Sequence, residues 1–77
     1  MQNIPTDLLR TFTTAIDSGS FTRAGDLVGR TPSAISLQIK RLEEIVDVHL
    51  FKRDSRKLLL TPEGKSLAQY ARRILAL

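Results

Sequence analysis

Ser33, Ser36, Leu37 and Lys40 follow one another at three, one and three residues, a spacing that on a helix gathers them on one face. Arg41 lies at the edge of that face and Glu44 further along it. The three acids of the segment, Glu43, Glu44 and Asp47, all fall in its second half. Its first half therefore offers hydroxyls, a positive charge and unpaired backbone N–H groups, which together suit an anion. A polyphosphate such as DNA fits that end, although a plain solvated amphipathic helix would carry the same residues without any ligand.

The element that must position these side chains is a helix over Thr31–Asp47. Thr31 is a capping residue, and Pro32 fits the first helical position, where no N–H is needed. Ile35, Ile39, Leu42 and Val46 recur at four, three and four residues, an apolar stripe with Ala34 and Ile45 at its margins. One face of this helix looks to a core and the other to a polar partner.

The chain has 77 residues, no cysteine and one histidine. That length allows at most one domain, too small for a large catalytic cleft, and the lack of thiols removes disulfide and thiolate-metal staples. Helix packing must hold it together. No apolar run is long enough to span a bilayer, and MQNIPTDLL lacks the basic start and apolar stretch of a signal peptide, so a cytoplasmic location is expected. The net charge of +4 is uneven. Residues 1–29 sum to −1, whereas 30–57 carry seven cations against four carboxylates. A basic middle favours a polyanionic partner, nucleic acid or an anionic membrane surface.

Taken in order, Thr6 is expected to cap a first helix whose stripe is Leu8, Leu9, Phe12 and Ile16 and which ends near Gly19. Ser20 opens a short second helix with Phe21, Ala24, Leu27 and Val28 apolar and Gly29 terminating it. Gly25 inside it costs up to about 1 kcal/mol against alanine, unless a neighbouring backbone approaches there. The stretch GRTP leaves only a tight turn before the helix at Thr31, so the two form a helix-turn-helix. Val48 to Arg53 and Lys57 to Thr61 then read as a two-stranded hairpin around Asp54-Ser55-Arg56, with Lys52, Arg53, Arg56 and Lys57 crowding its tip. Such a tip is either a charged, solvated edge or a phosphate clamp. Finally, Thr61-Pro62-Glu63 opens a last helix. Its seam of Leu67, Tyr70, Ala71, Ile74 and Leu77 runs to the final residue, and Leu67, Ala71 and Ile74 are candidate dimerisation residues.

SFTRAGDLVGRTPSAISLQIKRLEE followed by LFKRDSRKLLLTPEGKSL closely resembles the N-terminal DNA-binding domain of LysR-type bacterial transcriptional regulators, over nearly the whole chain. SFTRA opens the second helix, TPSAIS the recognition helix, LFKR the wing and LTPEG the linker helix. The resemblance implies a mainly α, winged helix-turn-helix fold of three helices, a two-stranded wing and a C-terminal linker helix. Residues 1–60 would form the DNA-binding domain and 61–77 the start of the linker and dimerisation helix. It implies double-stranded operator DNA as partner, dimers or tetramers through the linker helix, and a longer C-terminal effector-binding domain to which nothing in this chain corresponds. By matching position, the implied DNA contacts are Thr31, Pro32, Ser33, Ser36, Leu37 and Lys40 on the recognition helix, with Arg53 and Arg56 on the wing. Two positions depart from the pattern: Leu37 stands where arginine or glutamine is frequent, and Gly25 where alanine is usual.

Other function classes find less support. His49 lies beside Leu50 and Phe51 with no carboxylate or nucleophile at a diagnostic spacing, so catalysis is not expected. Neither a metal nor an organic cofactor is expected from one histidine and no cysteine. A membrane-surface helix needs more apolar bulk beside its cations than Leu37 alone. The serious rival is a basic protein-interaction or dimerisation module that does not read DNA sequence.

Overall fold

The computed structural model describes residues 3–52 and 58–76. Four helices occur among them: α1 Thr6–Ser18, α2 Phe21–Val28, α3 Pro32–Val46 and α4 Pro62–Ala76. α1 lies at the centre and packs against each of the other three, while α2 also packs on α3. Leu9, Phe12 and Ala15 of α1 meet Ala24 of α2, Ile35, Ile39 and Leu42 of α3, Leu50, and Ala68 and Ala71 of α4 in one core. Every one of these side chains is buried.

Local capping chemistry explains the helix ends. Ser20 Oγ accepts from the Arg23 N–H at 3.0 Å and Thr31 Oγ1 from the Ala34 N–H at 3.1 Å, so α2 and α3 each start on a hydroxyl cap. α1 differs from expectation: Thr6 is its first helical residue, and Pro5 occupies the cap position without a side-chain hydrogen bond. The Pro5 carbonyl instead accepts from the Leu8 and Leu9 N–H groups at 3.1 and 3.4 Å, so backbone serves where the hydroxyl was expected. Gly29 ends α2 with φ 72°, a left-handed conformation that glycine adopts without Cβ strain.

Gly25 is where the helix-turn-helix closes. A Cβ there would run into the Arg30 carbonyl oxygen, and the Arg30 N–H bonds the Gly25 carbonyl at 2.8 Å. Close backbone approach therefore accounts for a glycine in mid-helix. The same approach explains a misplaced side chain. The buried arc of α2 is centred between Ala24 and Gly25, towards that turn, so Leu27 falls outside it and is 70% exposed.

After α3 the two expected strands are represented, among the described residues, by a single antiparallel bridge between Phe51 and Leu60. Lys52 N–H donates to the Leu59 carbonyl at 2.8 Å and Thr61 N–H to the Leu50 carbonyl at 3.0 Å. Phe51 packs edge-on against Phe12 and Phe21 at centroid distances of 5.6 and 5.8 Å, so the pairing is anchored on aromatic contacts to α1 and α2. The expected turn at Asp54-Ser55-Arg56, together with Arg53 and Lys57, lies outside the described residues, as does Leu77.

Candidate nucleic-acid interface

The outward face of α3 begins at its cap. Thr31, Pro32, Ser33, Ser36, Leu37 and Lys40 are all exposed, and Arg41 and Glu44 extend the same face. Ile35, Ile39 and Leu42 on the opposite side are buried, with Val46 packed against the core, so burial divides the helix along the line that the apolar stripe marks. Between described residues, no side-chain hydrogen bond engages Ser33, Ser36 or Lys40. Toward the other described residues, their polar atoms are uncommitted. Leu37 stands among them at 52% exposure, too open for a core residue and too covered for a freely solvated one.

Two exposed cations lie on the segments before and after α3 in the chain. Arg30 is exposed in the turn before α3, and Lys52 is exposed where the chain leaves the Phe51 bridge. Arg53 and Arg56, the expected wing contacts, lie outside the described residues. No group of three or more His, Cys, Asp or Glu side chains is placed to hold a metal among the described residues, and none of their helices is long and apolar enough to cross a membrane.

The candidate dimerisation residues do not share one environment. Ala71 is wholly buried in the chain's own core, whereas Leu67 and Ile74 are half-buried and pack against it. Tyr70, beside them, is 41% exposed. Leu67 and Tyr70 form one wall of an apolar groove whose other side is Ile4, Ile45, Val46 and Val48.

Three polar links in the structure carry no obvious mark in the sequence. The Thr11 hydroxyl donates to Gln38 Oε1 at 2.6 Å and fixes α3 against α1. Arg72 Nη2 lies 2.6 Å from Asp17 Oδ1 and joins the end of α1 to α4. This hydrogen bond holds the Asp17 carboxyl below its ordinary pKa and raises that of Arg72, against an opposing effect of burial and with the Coulomb attraction adding least. Glu43 Oε2 accepts from the Leu50 N–H at 2.8 Å. The one usable signal for Glu43 was its place on the α3 wheel, at the border between the buried stripe and the open face.

A central helix, a capped helix-turn-helix and an open polar face on its second member define a helix-turn-helix regulatory module. The family model described as bacterial regulatory helix-turn-helix protein, lysR family, matches residues 6–65, and the chain belongs to that family. It is 46% identical over 74 residues to the HTH-type transcriptional regulator DgdR of Burkholderia cepacia, covering 96% of this chain and 25% of that protein. With the regulator PecT of Dickeya dadantii (strain 3937) it shares 45% over 73 residues, covering 95% and 23%. The chain spans about a quarter of the length of these curated relatives. Among solved structures it resembles BenM DBD in complex with catB site 1 DNA, with TM-score 0.91 and 36% identity over 95% of this chain and 78% of that one. It also resembles Vibrio fischeri DarR in complex with DNA, with TM-score 0.92 and 31% identity over 97% of this chain and 26% of that one.

Proposed function

We propose that this chain binds duplex DNA sequence-specifically, as the DNA-binding domain of a LysR-type transcriptional regulator, and that it is not an enzyme. The observation that carries the reading is the outward face of α3: capped at Thr31, exposed through Lys40, and, among the described residues, without side-chain partners at its serines and lysine. α3 lies in the major groove, where Ser33, Ser36, Leu37 and Lys40 reach base edges while Thr31 and the helix start meet phosphate. The segment that departs from the Phe51–Leu60 bridge is a wing whose Lys52, Arg53 and Arg56 lie along the flanking backbone. Residues 1–60 form this domain, and 61–77 begin a linker helix through which two copies pair, with Leu67 and Ile74 at the contact. Ala71, enclosed in the core, supports the helix from within. A C-terminal effector-binding domain belongs to the full regulator, which works in the bacterial cytoplasm.

Selection of bound duplexes from a random pool, followed by titration of the winner at several salt concentrations, tests this. A recurring half-site should emerge, and log affinity should fall linearly with log salt by about 0.9 per phosphate contact. Arg53→Ala or Arg56→Ala should each make that slope shallower by about one and weaken all sequences alike. Binding without sequence preference and without salt dependence would leave the rival reading, a protein-interaction module.

A further inference from the structure

Leu50 is held from more directions than its size requires. Its side chain is fully buried, and its N–H donates to the Glu43 carboxylate at 2.8 Å. Its carbonyl accepts from the Thr61 N–H at 3.0 Å and leaves no room for a Cβ on Gly64, the third residue of α4. One residue earlier, the His49 carbonyl accepts from the Thr61 hydroxyl at 2.6 Å. That hydroxyl also takes the Gly64 N–H at 2.9 Å, capping α4. The end of α3, the start of α4 and the chain between them therefore meet at one backbone unit, two residues before the exposed Lys52.

The hydrophobic contact of Leu50 alone would bury the segment without fixing its direction, because apolar contact is non-directional. Hydrogen bonds to the N–H and the C=O of one peptide do fix direction. A bond to an ionised carboxylate is among the stronger ones available. Glu43 is well placed for this because it sits on α3 between the buried stripe and the outward face, so its carboxylate reaches the returning chain without intruding on that face.

We infer that Glu43 is a positioning residue for DNA binding: by holding the Leu50 N–H, with Thr61 on the other side, it sets the direction in which the chain presents Lys52 to the backbone of the duplex whose groove α3 occupies. This rests on the DNA-binding reading above. Glu43 touches no nucleic acid itself, and its effect reaches the phosphates through the direction of the chain it holds. Charge makes the inference sharp, because removing a carboxylate near DNA should by electrostatics alone tighten binding and steepen its salt dependence. Loss of aim should do the reverse.

Glu43→Ala and Glu43→Gln remove the same charge, but only glutamine keeps an oxygen for the Leu50 N–H. Both are titrated with the selected duplex at several salt concentrations, and helicity is followed by circular dichroism. Glu43→Ala should bind more weakly, with a slope shallower by about one phosphate contact and unchanged base preferences. Glu43→Gln, with the aim kept and the charge gone, should bring the slope back to the parent's or somewhat above it. Thr61→Val against Thr61→Ser repeats the comparison from the other side of Leu50, so loss of fold in one variant does not end the test. If Glu43→Ala and Glu43→Gln share the parent's slope or both steepen it, the inference fails while the DNA-binding reading stands. A parent chain that shows no salt-dependent duplex binding would sink both.

Discussion

The outward face of α3, which runs to Lys40, and the junction around Leu50 are neighbours in sequence and opposite in design. The face is a set of side chains with polar atoms left open, carried on a helix that is capped at both ends. At the junction the backbone itself is the object held, by a carboxylate, a hydroxyl and a peptide N–H. Substitution on the face should therefore change what the chain binds with little effect on folding. Substitution at the junction should change folding or aim and leave base preference alone.

Leu50→Ala should show the largest effect. It removes a fully buried side chain at the meeting point of three elements, and about 2–5 kcal/mol of stability should go with it. Chemical denaturation measures this. A loss below about 1 kcal/mol would mean that the polar links hold the junction without its apolar anchor.

Thr31→Asp separates cap from contact. Aspartate caps helices about as well as threonine, so melting should hardly move. In the free chain Thr31 Oγ1 already accepts from the Ala34 N–H, so the hydroxyl can address a phosphate only by donating its proton. Aspartate has no proton to give and adds a like charge, so duplex affinity should fall by about tenfold, or roughly 1.4 kcal/mol. Unchanged affinity would remove Thr31 from the contact surface.

Leu37 sharpens the comparison at its most ambiguous residue. With no donor or acceptor, it can read a base edge only by contact with the thymine methyl. A thymine preference worth about 1 kcal/mol at one half-site position is expected. Leu37→Arg should move that preference to guanine, whose two acceptors arginine addresses together. At 52% exposure, the stability change should stay within about 0.5 kcal/mol. Parent-like base preferences together with a marked drop in melting temperature would assign Leu37 to the core instead.

The smallest effect belongs to Asp17, which is part of neither region. Its pKa is lowered in the folded chain, so the Arg72 pair stabilises the fold above the ordinary carboxylate pKa, and this contribution is lost as pH falls through the lowered value. Both side chains are substantially exposed, so Asp17→Asn should cost less than about 1 kcal/mol at neutral pH and nothing in strong acid. A constant difference down to pH 2 would contradict this account.

The sequence made the α2, α3 and α4 boundaries and the face of α3 legible because caps, proline placement and the 3.6-residue period act within one or two turns. Thr31, Pro32 and Gly29 each announce a local event. Leu27 misled because the period locates an apolar stripe but does not say which margin the neighbouring turn will cover. Thr6 misled because a backbone carbonyl, identical in every residue, did the work expected of its hydroxyl. Asp17 with Arg72, Thr11 with Gln38 and Glu43 with Leu50 could not be paired in advance, since each joins elements whose relative placement follows from packing. Gly25 posed a choice between close approach and weak helix, and only the position of Arg30 decides it.

Both ends of α3 are closed before any partner arrives: Thr31 caps the first turn, and Asp47, left-handed at φ 58°, returns its N–H to the Glu43 carbonyl at 2.7 Å. The ordering of this helix therefore belongs to folding and not to association. Calorimetry of duplex binding should accordingly return a modest negative heat-capacity change, set by the surface covered at the contact. It should lack the further increment that appears when a recognition segment folds as it binds, which corresponds to burial of roughly 1,000–3,000 Å².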